Sequence, residues 1–113
     1  MTHIYSEIQV VEAVSSLTQI RLTSFVEAGF VQPMHTGDGP VFGQIDLARL
    51  DLLCELSDRL DLEESALEIV MSLVDQLHGV RAELRAVLDA LAAEPDEVRV
   101  RIADTLSAAR LGA

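Results

Sequence analysis

The sequence predicts a mainly α protein: a helix-turn-helix with a short wing-like hairpin, followed by a long heptad helix and a C-terminal helix. Three observations carry this. Helix-opening signals at Ser6, Thr18, Asp46, Asp61 and Pro95 each precede apolar residues that recur at steps of three and four. Residues 30–45 break that period with Pro33, Pro40, Gly37 and Gly39. Val70, Leu73, Leu77, Val80, Leu84, Val87 and Leu91 then step alternately by three and four, which is the a/d seam of a coiled coil. In 113 residues, half of them apolar, there is room for one compact body and a helical arm. The expected division is a body over 1–60 and an arm with its terminal helix over 61–113.

The first helix opens with Ser6-Glu7-Ile8-Gln9, the spacing of a capping box, and Ile8, Val11 and Val14 give it an apolar side. Ser15 and Ser16 interrupt it. Thr18 caps a second helix carrying Leu22, Phe25 and Val26, which stops at Gly29, a residue free to take the left-handed conformation. Phe30-Val31 and Val41-Phe42 are expected to form two short strands around Thr36-Gly37-Asp38-Gly39-Pro40. Asp46 is expected to cap a third helix with Leu47, Leu50, Leu53, Cys54 and Leu60 on one side. Asp61 and Glu64 are expected to form another capping box, opening a helix that runs to about Ala93. Val74 and Leu88 widen its seam, whereas Gly79 lies off it. Pro95, Asp96 and Glu97 suit the start of a last helix with Val98, Ile102, Leu106 and Ala109 on one face.

Composition narrows the function. Eight basic against nineteen acidic residues give a formal charge of −11, and every basic residue is Arg. Nucleic-acid binders draw affinity from cations on phosphates, so this balance disfavours DNA, RNA and anionic membranes and suggests a basic partner. The single Cys54 forms no internal disulfide, no apolar run reaches the ~20 residues of a membrane span, and no leader pattern opens the chain. A cytoplasmic location is expected. His3, His35 and His78 lack ligand spacing, and no nucleophile elbow, phosphate loop or paired Cys and His is present. Neither a metal, a cofactor nor an enzymatic activity is expected.

Phe25-Val26-Glu27-Ala28-Gly29-Phe30-Val31-Gln32-Pro33 resembles the aromatic-x-Glu-x-Gly-Leu-[Leu/Val]-x-Pro segment of the MerR-like winged-helix family. Val41-Phe42 followed by Asp46-Leu47-Ala48-Arg49-Leu50 resembles that family's second wing strand and the helix after it. The resemblance covers residues 6 to 93. It departs where DNA-binding members place Arg-Tyr, because Thr23 and Ser24 stand there, and where they place a wing Arg, because Pro40 stands there. Residues 1 to 45 hold one Arg, Arg21, against Glu7, Glu12, Glu27 and Asp38.

In length, acidity and helical tail the chain resembles the CbpM-like chaperone-modulator branch of that family. That resemblance implies binding to the J domain of a DnaJ/CbpA-like co-chaperone, whose basic helix meets its Hsp70 partner. The acidic residues Asp51, Glu55 and Asp58 fall at i, i+4 and i+7 on the third helix, and Glu64, Glu68 and Asp75 continue on the fourth. They are the candidate partner surface, set against the plainer reading of a solvated face. MerR-like relatives pair through a seam such as the one above, which implies a homodimer. Two rival readings stay open: a MerR-type transcriptional regulator with atypical DNA contacts, and an acidic helical adaptor with an unrelated partner.

Overall fold

A computed structural model describes residues 3–111. It is mainly helical with one small antiparallel sheet, in the order β1 (Ile4–Ser6), α1 (Glu7–Ala13), α2 (Gln19–Glu27), β2 (Met34–Thr36), β3 (Gly39–Gly43), α3 (Gln44–Arg59), α4 (Glu64–Ala92) and α5 (Asp96–Leu111). Two compact units divide between Ser72 and Leu73, within α4.

In the first unit, Ser6 and Gln9 form the expected capping box: Gln9 N–H donates to Ser6 Oγ at 3.2 Å, and Ser6 N–H donates to Gln9 Oε1 at 2.9 Å. The buried side of α1 is Val10, continued by Val14 just past its end, with Val11 half-buried; Ile8 points out at 71% exposure, contrary to the expected face. Thr18 caps α2 through Arg21 N–H at 3.1 Å. At its other end Gly29 takes φ +81°, so that Gly29 N–H reaches Val26 O and Phe30 N–H reaches Phe25 O, both at 3.1 Å. This pair of bonds satisfies carbonyls that the helix end leaves open. It also turns Phe30 back onto Phe25, with ring centroids 6.3 Å apart, and delivers Phe30 and Val31 to the core.

Phe30 and Val31 are therefore buried loop and not strand, a correction to the expected hairpin. The first hairpin strand is β2, whose Thr36 pairs with Gly39 across a two-residue turn at Gly37-Asp38. Gly39 needs φ +112°, which suits glycine. β1, unforeseen from the sequence, pairs with the far side of β3, giving the order β1-β3-β2 with Tyr5 opposite Phe42. Pro40 is tolerated in this central strand for a positional reason. It sits one step from the pair that closes the turn, so its missing donor faces the β1 side, and β1 pairing reaches only Val41.

Gly43 precedes α3, and Asp46 is its third residue, not its cap: Asp46 Oδ2 reaches back to accept from Gly43 N–H at 2.8 Å. Leu50, Leu53 and Cys54 are buried as expected, but Leu60 lies past the helix end and is 62% exposed. Asp61 takes φ +51° and caps nothing; α4 begins at Glu64, with Leu67 N–H bonded to Glu63 O at 2.9 Å. Leu67 and Met71 join the core of Val10, Leu22, Phe42, Leu50 and Leu53, so this unit extends beyond residue 60 into the fourth helix. Arg49 Nε donates to Phe30 O at 2.9 Å, fixing the loop after α2 to α3.

The second unit holds the rest of α4 and α5. Ala93 and Glu94 close α4 through bonds to Ala90 O and Leu91 O, and Pro95 O accepts from Val98 and Arg99 N–H. Arg99 pairs with Asp96 one turn away. Leu91, Val98 and Ile102 are half-buried, whereas Leu106 is 59% exposed.

Candidate functional site

The acidic residues singled out in the sequence are surface residues, all but Asp75 in the first unit, and the structure gives them different work. Asp58 is the only one of the α3 trio drawn into a close, two-bonded pair. Arg21 of α2 donates Nη2 to its Oδ1 at 2.8 Å and Nη1 to its Oδ2 at 3.3 Å. The same Nη1 donates to Ser16 O at 3.1 Å. Ser16 holds φ +71°, a conformation that a non-glycine residue keeps only when neighbours fix it. Arg21 thus locks the turn of the helix-turn-helix against α3. Its guanidinium holds the Asp58 carboxyl below the usual aspartate range, chiefly through the hydrogen bonds and then by charge.

Glu55 is exposed and pairs loosely with Arg59 at 3.4 Å, an i, i+4 contact of small worth in water. Asp51 is exposed. Together with Ser15, Ser16, Cys54 and Arg59 these carboxylates line a shallow polar recess of about 250 Å³ between the turn and α3. Cys54 is buried behind it, and that burial pushes its thiol up, against the weaker opposing pull of Arg21. It is a packing residue with little thiolate character.

Glu64 and Glu68 are exposed on α4, but Glu64 lines a different depression, an apolar groove of about 370 Å³ between α2 and the start of α4. Arg21 lines this groove and Asp58 the polar recess, so their ion pair forms the divide between the two. The single acidic stripe expected across the third and fourth helices is split accordingly. Asp75 is exposed in the second unit.

The outer side of α2 carries Gln19, Ile20, Thr23, Ser24 and Glu27 around a further shallow recess. None of the residues lining it is a cation, and the one Arg of residues 1 to 45 is engaged by Asp58 and Ser16. Ile20, at 84% exposure, is the residue that sequence reasoning passed over. The available signal was an Ile two positions before the buried Leu22, off the apolar face of its own helix.

The seam on α4 is mostly open. Val70 and Leu91 are half-buried, while Leu73, Leu77, Val80, Leu84, Val87 and Leu88 are between 50% and 60% exposed. The residues that anchor α4 in the first unit, Leu67 and Met71, are not seam positions. Among the described residues no helix is long and apolar enough to cross a membrane, and no group of three or more His, Cys, Asp or Glu is placed to hold a metal ion.

Fold and surface together define a mainly helical protein with a small antiparallel sheet, an acidic body and an apolar seam along its longest helix. No family model, no curated protein and no solved structure matches the chain.

Proposed function

We propose that this chain is a cytoplasmic, homodimeric, protein-binding modulator that inhibits a DnaJ/CbpA-like co-chaperone by covering its J domain. One observation carries the reading: the helix-turn-helix has no cation to offer a phosphate, since Arg21 is spent on Asp58 and Ser16 O. A helix-turn-helix draws most of its DNA affinity from such contacts, and each one lost also removes a counterion-release contribution. The chain offers carboxylates instead, with Asp51 and Glu55 exposed beside the turn and Glu64 and Glu68 on α4. Those groups attract the basic helix of a J domain, raising the rate of encounter and selecting against acidic partners. Occupation of that helix blocks its docking to Hsp70. The α4 seam supplies the dimer contact, a second helix covering Leu73 to Leu91. Catalysis, metals and cofactors have no part in this function.

Calorimetry with the purified J domain of the same organism tests the reading. Binding should be detectable at micromolar concentrations and should weaken as salt rises, because exposed charge pairs are screened within about 8 Å at physiological ionic strength. Asp51→Arg with Glu55→Arg should slow association and weaken binding by about 1–3 kcal/mol. The absence of heat at tens of micromolar would sink the assignment, as would tight, competitor-resistant binding to DNA around its own gene.

A further inference from the structure

Ile20 is the most exposed large apolar side chain among the described residues, at 84%, and it stands in the first turns of a helix rather than on a loop. On one side lies the apolar groove, about 370 Å³, walled by Phe25, Ala28, Phe30 and Leu67. On the other is a shallower recess of about 330 Å³ bordered by Thr23 and Glu27. Ile20 and Ser24 line both depressions, so they form a ridge with a furrow on each side. Side chains four apart make the ridges by which helices pack, and a second helix is the shape that seats on such a ridge. The charge at the rims selects its chemistry. Glu64 borders the groove and Glu27 the recess, and the one cation among the lining residues, Arg21, is held by Asp58.

We infer that the Ile20–Ser24 ridge and its two furrows dock the exposed face of a basic helix, with Glu27 and Glu64 meeting cations at its edges. This rests on the function proposed above and identifies the helix as the basic helix of the J domain. The α3 carboxylates then steer the encounter, while the α2 ridge holds the complex. A few well-packed side chains near the centre of an interface carry most of its binding energy, and rim charges mostly set the rate.

The experiment is calorimetry of the full chain and two variants, Ile20→Glu and Ile20→Ala, against the same J domain, with thermal melts and sedimentation as companions. The wild type should bind. Ile20→Glu should bind about 30-fold or more weakly and Ile20→Ala about 10-fold more weakly, both melting with the wild type because the side chain is exposed. Should the glutamate variant fail to fold, the alanine variant decides. Wild-type affinity in the folded variants overturns the ridge and leaves the partner standing. A change in self-association with unchanged J-domain affinity overturns it in favour of a second copy of this chain. No binding by the wild type overturns both the ridge and the function on which it rests.

Discussion

Leu77→Asp combined with Leu84→Asp should abolish the dimer proposed for the α4 seam. Five seam side chains, Leu73, Leu77, Val80, Leu84 and Val87, and Leu88 beside them stand 50% to 60% exposed. Full burial of a Leu or Val is worth about 1.5–3 kcal/mol, so covering the exposed half of each recovers roughly 1 kcal/mol. A symmetric pair therefore gains about 12 kcal/mol, set against an association cost of about 4–15 kcal/mol. A cost near the lower end leaves a dimer with a dissociation constant of micromolar order. The double substitution removes two leucines from each helix, about a third of that gain, and sets four carboxylates in a dry seam. Unpaired charges there cost several kcal/mol more, which carries the dissociation constant past the millimolar range. Analytical ultracentrifugation at about 100 µM is the assay, with circular dichroism to confirm that helix is retained. The wild type should sediment as a dimer and the variant as a monomer. A well-folded wild-type monomer at that concentration would refute the reasoning.

The buried face of α1 is testable by two neighbouring substitutions in denaturant melts. Val10→Ala, at a position with no exposure, should cost about 1–3 kcal/mol, whereas Ile8→Ala, at 71% exposure, should cost less than about 0.5 kcal/mol; the reverse order would disprove the face. Arg21→Ala should lower the thermal midpoint, since it frees the Ser16 turn from α3 and leaves Asp58 unpartnered. The Arg21–Asp58 pair also makes stability depend on pH with a definite sign. Asp58 titrates below its ordinary 3.8 in the folded state, so its contribution is complete above that value and is lost as pH falls through the lower one. Asp58→Asn should remove that share of acid destabilisation, and an unaltered pH profile in melts would show that the pair does not contribute.

The helix ends that were legible in the sequence are those with one local chemical solution. Ser6 with Gln9, Thr18 before its helix, and Gly29 after it each satisfy backbone groups within a few residues, so spacing alone identifies them. Asp46 and Asp61 misled because an aspartate suits several positions. One serves from the third residue of α3, and the other sits in a left-handed turn ahead of α4. β1 was illegible because three residues, two of them exposed, carry no alternation to recognise. Phe30-Val31 resembled a strand because burial and strand share an apolar signature; only the bond from Phe30 N–H to Phe25 O distinguishes them. At the surface, Asp51, Glu55 and Asp58, spaced at i, i+4 and i+7, line one recess beside α3. The capture of Asp58 by Arg21, 37 residues earlier in the chain, depends on how α2 packs against α3 and leaves no local trace.

The most direct measurement of the central claim is the ATPase rate of the organism's Hsp70 in the presence of its DnaJ/CbpA-like co-chaperone, with this protein titrated in. If the chain covers the J domain, stimulation should fall towards the unstimulated Hsp70 rate as the protein reaches equivalence with the co-chaperone. The Asp51→Arg, Glu55→Arg variant should require more protein for the same effect, and the Hsp70 rate without co-chaperone should stay unchanged. Full stimulation in the presence of a several-fold excess of this protein would contradict the account.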